Sequence, residues 1–268
     1  MATEDEFKAW VLHKRPIGNA NIQVSFLTAE RGILNCSWQH GRTPKKQALL
    51  QLFTPLWLFT KTNHNGWHYI CQVETYDQPL RLTGDSLFAA FYLNELLCYA
   101  LKSGDHCPNI FDIYGNTLRA LMFNNINGEA EASQTCAIIY APFNKNNNSD
   151  EIPTASKTSN RLALEILLRR FELILLQTCG YGLPFIQEAY STKLITAHKH
   201  YKFNAGAGFI ADPNGKILGK NILALADGQF ADLEVLRTAK LIMRQAIAHF
   251  LQGRELKTRA LFKVHNEK

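Results

Sequence analysis

Two short clusters of cationic side chains lie in the first 50 residues. HKRPIGNAN contains Lys14 and Arg15, and HGRTPKKQ contains Arg42, Lys45 and Lys46. Lysine and arginine neutralise phosphate groups, and an arginine guanidinium can bind a phosphate through two parallel hydrogen bonds. The five residues are therefore candidates for contacts with a nucleic-acid backbone. The alternative interpretation is that they are ordinary cations of solvated loops.

A third group of cations lies near the C-terminus. Arg237, Lys240 and Arg244 follow the i, i+3, i+7 spacing of one helix face. Lys257 and Arg259 follow in LKTRALF. A duplex or a second strand could bind here. A solvated helix face explains the same pattern equally well.

Motifs of catalysis and of metal binding are missing from the sequence. There is no GxSxG, Walker loop or HExxH, and NAGAGF is not a dinucleotide fingerprint. The six cysteines have no CxxC spacing, which predicts reduced thiols rather than disulfides or a zinc site. We therefore expect a protein without enzymatic activity, cofactor or metal ion.

The composition suits a basic, two-domain protein. The chain has 268 residues, of which 46% are hydrophobic, and a net charge of +6 that favours an anionic partner such as nucleic acid. No apolar run is long enough to span a membrane. The acidic start MATEDEFKAW is not a secretory signal, so a cytoplasmic location is expected.

Period-two patterns predict β-structure in residues 1–80. Ile22, Val24 and Phe26 alternate with polar residues, as in a half-buried strand. We predict five strands, near 9–13, 21–28, 32–39, 48–60 and 66–76. Pro55 marks the fourth as an edge, bulged or broken strand. Five short strands over about 70 residues are typical of a barrel of the OB type.

Residues 81–268 are predicted to form a mainly α-helical domain. The predicted helices run from Asp85 to about Lys102, from Pro108 onward, over 161–178, and from Asp232 to Gly253. A polar stretch at about 124–160 indicates a flexible insertion, and about 183–225 is a small mixed segment. The predicted fold is α+β and multidomain, with a five-stranded OB-type β-barrel followed by helices.

Several segments together resemble the RecO family of bacterial recombination mediators. They span nearly the whole chain in family order: WVLHKRP (10–16), QLFTPLWLF (51–59), FYLNELL (91–97), LLRRFELILLQTCGYG (167–182), GFIAD (208–212), LRTAK (236–240) and LKTRALF (256–262). The most specific piece is RRFELxLL followed by GYG. The family also places basic residues at positions matching the two N-terminal clusters.

The resemblance implies a DNA-repair function. It implies binding of single- and double-stranded DNA, annealing of complementary strands, and help in loading recombinase onto strands coated by single-strand-binding protein. The implied partners are a RecR-type ring protein and the C-terminal tail of single-strand-binding protein. Some members carry a four-cysteine zinc module after GYG; residues 183–268 contain no cysteine, so no zinc is expected.

Two arginines of the RRFEL motif are candidates for holding that acidic tail. The motif position favours Arg169, whereas Arg170 has only apolar neighbours at helical spacing. Arg169 has Glu165 and Glu172 at i−4 and i+3, so an intrahelical ion pair is its structural alternative. Two other functions remain open for the chain: an OB-fold RNA or single-strand-binding protein without a repair role, and a barrel that makes only protein contacts.

Overall fold

A computed structural model describes residues 4–123, 159–230 and 232–265. The described chain forms two compact units. One combines residues up to Met122 with those from Leu256 onward, and the other spans Phe123–Glu255. Most of the predicted insertion, residues 124–158, lies outside the described residues.

The first unit contains a closed five-stranded barrel. Its strands are β1 Glu4–Ile17, β2 Asn21–Thr28, β3 Gly32–Trp38, β4 Pro55–Thr62 and β5 His68–Thr75. The order around the barrel is β1-β2-β3-β5-β4, and every pair is antiparallel except β3 with β5. The predicted OB-type barrel is confirmed.

Alternation of side chains along most of β2 and the second half of β3 contributes to the barrel core. Val24 and Phe26 of β2 and Leu34 and Cys36 of β3 are buried, with at most 2% of their surfaces exposed. Successive strand residues point to opposite faces, so the polar residues between them lie on the outside of the barrel. The alternation thus supplies a dry interior and a polar outer face from the same strands.

The predicted fourth strand, 48–60, is wrong in its first part. Residues Pro44–Leu49 form helix α1, and β4 begins only at Pro55, opposite Trp10 of β1. Pro44 fits the first turn of a helix because its missing N–H is not needed there. Pro55 fits the first position of a strand for the same reason.

The remaining helices of this unit are α2 Gly84–Ala100, α3 Pro108–Phe123 and, after the second unit, α7 Arg259–His265. The N-cap of α2 is Thr83, so the predicted cap Asp85 lies instead in the first turn, where its negative charge suits the helix dipole. The buried Asn94 of α2 donates to the Leu12 carbonyl at 3.0 Å and accepts from the Tyr114 hydroxyl at 2.5 Å. These bonds join α2 and α3 to the barrel.

The C-terminal segment is also fixed within the first unit. The Glu95 carboxylate of α2 accepts from the backbone N–H groups of Lys257 and Thr258, each at 2.9 Å. The compact unit is therefore larger than the barrel alone. Division into a barrel domain at 1–80 and a helical domain at 81–268 stays a prediction.

The second unit contains helices and a small sheet, and its first described helix is α4, Ser159–Thr178. Its other elements are β6 His200–Asn204, β7 Gly208–Ala211, β8 Ile217–Leu218, α5 Gly219–Ala226 and α6 Leu233–Phe250. The sheet order is β7-β6-β8, with both pairs antiparallel.

One end of each long helix of the second unit matches its sequence signal, whereas α4 begins at Ser159 rather than at residue 161 and α6 ends at Phe250 rather than at Gly253. Gly180, with φ of 81°, follows the end of α4, and the Tyr181 N–H donates to the Leu176 carbonyl at 2.8 Å. Asp232 caps α6 by accepting from the Glu234 N–H at 2.8 Å. Within the described ranges, no helix is long and apolar enough to cross a membrane.

Candidate nucleic-acid interface

A shallow groove of about 310 Å³ lies on the outer face of β1, β2 and β3. It is lined by His13, Arg15, Gln23, Ser25 and Asn35. The strand register places His13 beside Ser25, Arg15 beside Gln23, and Ser25 beside Asn35. The groove is thus a continuous polar surface made from three neighbouring strands.

Hydrogen bonds between neighbours hold these side chains in fixed positions. Arg15 Nε donates to Gln23 Oε1 at 2.6 Å, and Ser25 Oγ donates to Asn35 Oδ1 at 2.6 Å. The Arg15 side chain is exposed, and this bond uses one of its three guanidinium nitrogens. The groove therefore offers donors and acceptors suited to phosphates and base edges.

Three loops lie next to this groove, two of them at one end of the barrel. Ile22 pairs with Trp38, which brings the β1–β2 turn (18–20) beside the β3–α1 loop (39–43). The β4–β5 loop (63–67) is not at that end, because β5 runs parallel to β3 and the end of β4 pairs with the start of β1. It lies beside β3, since His68 pairs with Cys36, next to the groove residue Asn35. OB folds bind nucleic acids with this combination of strand face and loops.

Two of the predicted barrel cations also stabilise the β1–β2 turn and the β3–α1 loop. Arg42 donates from a guanidinium nitrogen to the Asn19 carbonyl at 3.2 Å. The Lys46 ammonium donates to the Gln39 carbonyl at 2.6 Å and lies 4.7 Å from the Trp38 ring centroid. These contacts stabilise the loops.

Lys14 is less available than the other barrel cations. Its ammonium donates to the Leu50 carbonyl at 2.8 Å, and burial lowers the pKa of Lys14. It fixes the segment after α1, whereas Arg15, Arg42 and Lys45 are exposed. The structure thus brings all five predicted residues to one region of the barrel and gives Lys14 mainly a structural position.

The tryptophans of the first unit differ in exposure. Trp10 and Trp38 are buried, and Trp57 is half-buried. Trp67, in the β4–β5 loop, has 59% of its surface exposed. An exposed aromatic ring beside the polar face of an OB barrel can stack on a nucleic-acid base. Its position immediately after the Asn65-Gly66 turn is the signal by which the sequence could have singled it out.

The predicted C-terminal cations belong to two different compact units. Arg237, Lys240 and Arg244 are exposed on α6, and Lys240 forms an ion pair with Glu165 of α4. Lys257 and Arg259 belong to the first unit, where the Arg259 guanidinium lies 6.0 Å from the centroid of the Tyr92 ring. DNA binding by these five residues stays a prediction.

The two arginines of RRFEL have different environments within α4. Arg169 forms an ion pair with the buried Glu172 at 2.7 Å. Arg170 is buried, donates to the Gly228 carbonyl at 3.4 Å, and lies 5.5 Å from the centroid of the Phe230 ring. Sequence spacing found the first interaction. It missed the second because Gly228 and Phe230 are far along the chain.

In the part of the chain that the structure describes, no group of three or more His, Cys, Asp and Glu side chains is placed to hold a metal ion.

Comparison with known proteins decides the family. No family model matches the chain. The DNA repair protein RecO of Legionella pneumophila (strain Paris) is 38% identical over 97% of this chain and 98% of its own length. The DNA repair protein RecO of Tolumonas auensis is 31% identical over 98% and 96%, and that of Psychromonas ingrahamii 29% identical over 95% and 96%.

The chain belongs to the RecO family. The resemblance inferred from the sequence motifs is therefore confirmed, and the chain is a DNA repair protein. The barrel followed by helices agrees with an OB-type domain and a helical domain in RecO.

Proposed function

We propose that this RecO protein binds single- and double-stranded DNA through its barrel and anneals complementary strands. The observation that carries the proposal is the polar groove on β1, β2 and β3, which contains the exposed Arg15. Arg42 lies in the neighbouring β3–α1 loop, and the exposed Trp67 lies in the β4–β5 loop beside β3. In this proposal the backbone phosphates contact Arg15, Arg42 and Lys45, and a base stacks on Trp67.

The same protein assists recombinase loading onto strands coated by single-strand-binding protein. Its partners are a RecR-type ring protein and the acidic C-terminal tail of single-strand-binding protein. The tail would dock on the second unit, where Arg169 lies in an apolar helix and has 12% of its side chain exposed. The proposed role is one of binding and positioning, without a catalytic step.

A strand-annealing assay tests the proposal. Two complementary oligonucleotides, labelled as a fluorescence donor and acceptor, are mixed with and without protein at low salt, alone and after coating with single-strand-binding protein. We expect faster annealing with the protein. Binding without faster annealing would favour an OB-fold RNA or single-strand-binding protein, and an absence of binding would favour a barrel used only for protein contacts.

Trp67 gives a local test of the DNA position. Trp67→Ala should weaken binding of single-stranded DNA by about 1–3 kcal/mol, because loss of a base-stacking ring typically costs that much. Trp67→Phe, which keeps an aromatic face, is the matched control. The half-buried Trp57, on the β4 side of the barrel, provides a second control through Trp57→Phe. Equal DNA affinity of Trp67→Ala and wild type would remove the β4–β5 loop from the interface.

A further inference from the structure

One outward-facing residue from each barrel strand lies in a single cross-strand row. Arg15 of β1 pairs with Gln23 of β2, and Gln23 pairs with Ser37 of β3. Ser37 pairs in turn with Tyr69 of β5, and Tyr69 pairs with Lys61 of β4. Residues directly opposite each other on neighbouring strands have their side chains on the same face of the sheet. This barrel row therefore crosses all five strands and has a cation at each end.

Alternation along β4 and β5 directs Tyr69 and Lys61 to the outer face of the barrel. Ile70, which follows Tyr69, lies in the barrel core with 6% of its surface exposed. Thr60, which precedes Lys61, is fully buried. Because successive residues of a strand point to opposite faces, Tyr69 and Lys61 point outward. Tyr69 is half-buried and Lys61 is exposed.

The barrel row continues the polar groove onto two further strands. Arg15 and Gln23 line the groove and are joined by the 2.6 Å hydrogen bond from Arg15 Nε to Gln23 Oε1. Ser37 lies two residues after the groove residue Asn35 on β3, and Tyr69 and Lys61 follow on β5 and β4. Beyond Lys61 the barrel closes on β1, where the paired residue is the acidic Glu4, so the row of polar and cationic residues ends there.

Tyr69 also lies close to the exposed Trp67 of the β4–β5 loop. The two residues are two positions apart, and the Asn63 N–H donates to the Trp67 carbonyl at 3.0 Å, which continues the pairing of β4 with β5. Two residues of an extended chain span about 7 Å. Neighbouring nucleotides of one single strand can bridge such a distance and contact both aromatic residues.

We propose that the barrel row is the path of a single strand of DNA, with Tyr69 as a second stacking residue beside Trp67. The backbone phosphates contact Arg15 and Lys61, and a base stacks on the Tyr69 ring. Aromatic rings stack on the unpaired bases of a single strand, whereas cations bind the phosphates of either form of DNA. This path rests on the proposed binding of DNA by the barrel and extends the contact surface from β1, β2 and β3 to β5 and β4.

The first test measures binding of a labelled poly-dT oligonucleotide by fluorescence anisotropy. Tyr69→Ala should lower affinity at least about fivefold, the lower end of the effect of losing a stacking ring. Tyr69→Phe keeps the ring and should recover that affinity. Affinity of Tyr69→Ala for a blunt duplex should fall by less, because the duplex offers no unpaired base.

Tyr76→Ala is the matched control for the loss of an aromatic ring. Tyr76 is also exposed, but it follows the opposite end of β5 and lies 5.7 Å from the Trp57 ring, measured between centroids. It should bind poly-dT as the wild type does.

The second test concerns the cation at the end of the barrel row. Lys61→Gln should reduce the log–log salt slope for poly-dT by about 0.7, the contribution of one phosphate contact. Lys8→Gln is the matched control, since Lys8 is an exposed β1 residue outside the row, with its ammonium 5.5 Å from the Trp57 ring centroid.

Photocrosslinking locates the strand on the wild-type protein, without any substitution. Poly-dT that carries 5-iodouracil is irradiated in the complex, and mass spectrometry should find adducts at Tyr69 as well as at Trp67. Adducts at Trp67 alone, together with Tyr69→Ala and Lys61→Gln proteins that bind as their controls do, would overturn the path and leave the proposed barrel binding intact.

Two further results would also overturn the role of Tyr69. Equal weakening by Tyr69→Phe and Tyr69→Ala would show that the ring is not the binding group. Equal loss of duplex and poly-dT affinity in Tyr69→Ala would indicate a disturbed barrel rather than lost stacking. If the wild-type protein binds no DNA at all, the proposed function fails together with the path.

Discussion

Removal of the positive charge from the β3–α1 loop should reduce the salt dependence of DNA binding. Arg42 and Lys45 are exposed and Lys46 is half-exposed, so each can reach a phosphate. Each phosphate contact contributes about 0.7 to the log–log salt slope on single strands and about 0.9 on duplex DNA. Loss of all three contacts should therefore flatten the slope by about 2.1 on single strands and about 2.7 on duplex DNA.

This change in slope is large enough to measure. Between 50 and 200 mM salt, the affinity of each protein falls by some factor, and a slope difference of about 2.1 makes these factors differ roughly 20-fold. The factor for the wild type should be the larger one. Fluorescence anisotropy with a labelled oligonucleotide at four or five salt concentrations resolves such a difference.

The choice of substitution matters because two of these cations also support the fold. Arg42 and Lys46 donate to the carbonyls of Asn19 and Gln39, and each such bond contributes about 0.5–1.5 kcal/mol. Glutamine at the three positions removes the charge and keeps an amide donor. Lys102→Gln, on an exposed loop after α2, controls for net charge. An unchanged slope in a folded triple-glutamine variant would refute the assignment of this loop to the interface.

Three further predictions concern other parts of the molecule. Arg169→Lys should weaken binding of a labelled acidic tail peptide by about 1.5–3 kcal/mol, measured by titration. Arg170→Lys should mainly lower the melting temperature of the protein. If both variants bind the peptide with the affinity of the wild type, the tail docks elsewhere. Elemental analysis of purified protein should find no stoichiometric zinc, and one zinc per chain would contradict the cysteine argument. Iodoacetamide at pH 8 should modify the exposed Cys71 and spare Cys36 and Cys98, because burial raises the pKa of their thiols to about 12 and about 11. Mass spectrometry of the modified peptides checks this, and rapid alkylation of Cys36 in folded protein would contradict it.

The sequence predicted the parts of the fold that local rules control. Alternation in β2 and β3 gave the barrel core, and Gly180 and Asp232 marked helix ends through backbone conformation and capping. Helix α1 was mistaken for part of a strand because six residues, PKKQAL, are too few to show a helical period. Its proline at the first position was the usable signal.

The candidate interface was predicted only in part, because it depends on the pairing of strands. Arg15 and Arg42 are visible as cations in the sequence, but their closeness follows from the β1–β2 turn lying beside the β3–α1 loop. Gln23 and Ser25 were seen only as the polar half of an alternating pattern. They become groove residues once β1 and β3 lie on either side of β2.

Arg170 illustrates why a local sequence argument can assign the wrong role to a cation. Its helical neighbours are apolar, which suggests that its guanidinium is available to bind the acidic tail of a partner protein. In the fold its guanidinium meets the Gly228 carbonyl and the Phe230 ring, 58 and about 60 residues away. Substitution of Arg170 therefore disturbs the packing of α4 against the segment that precedes α6. Loss of tail binding in such a variant can report on unfolding of this unit, so only Arg169, with 12% of its side chain exposed, gives a direct test of docking.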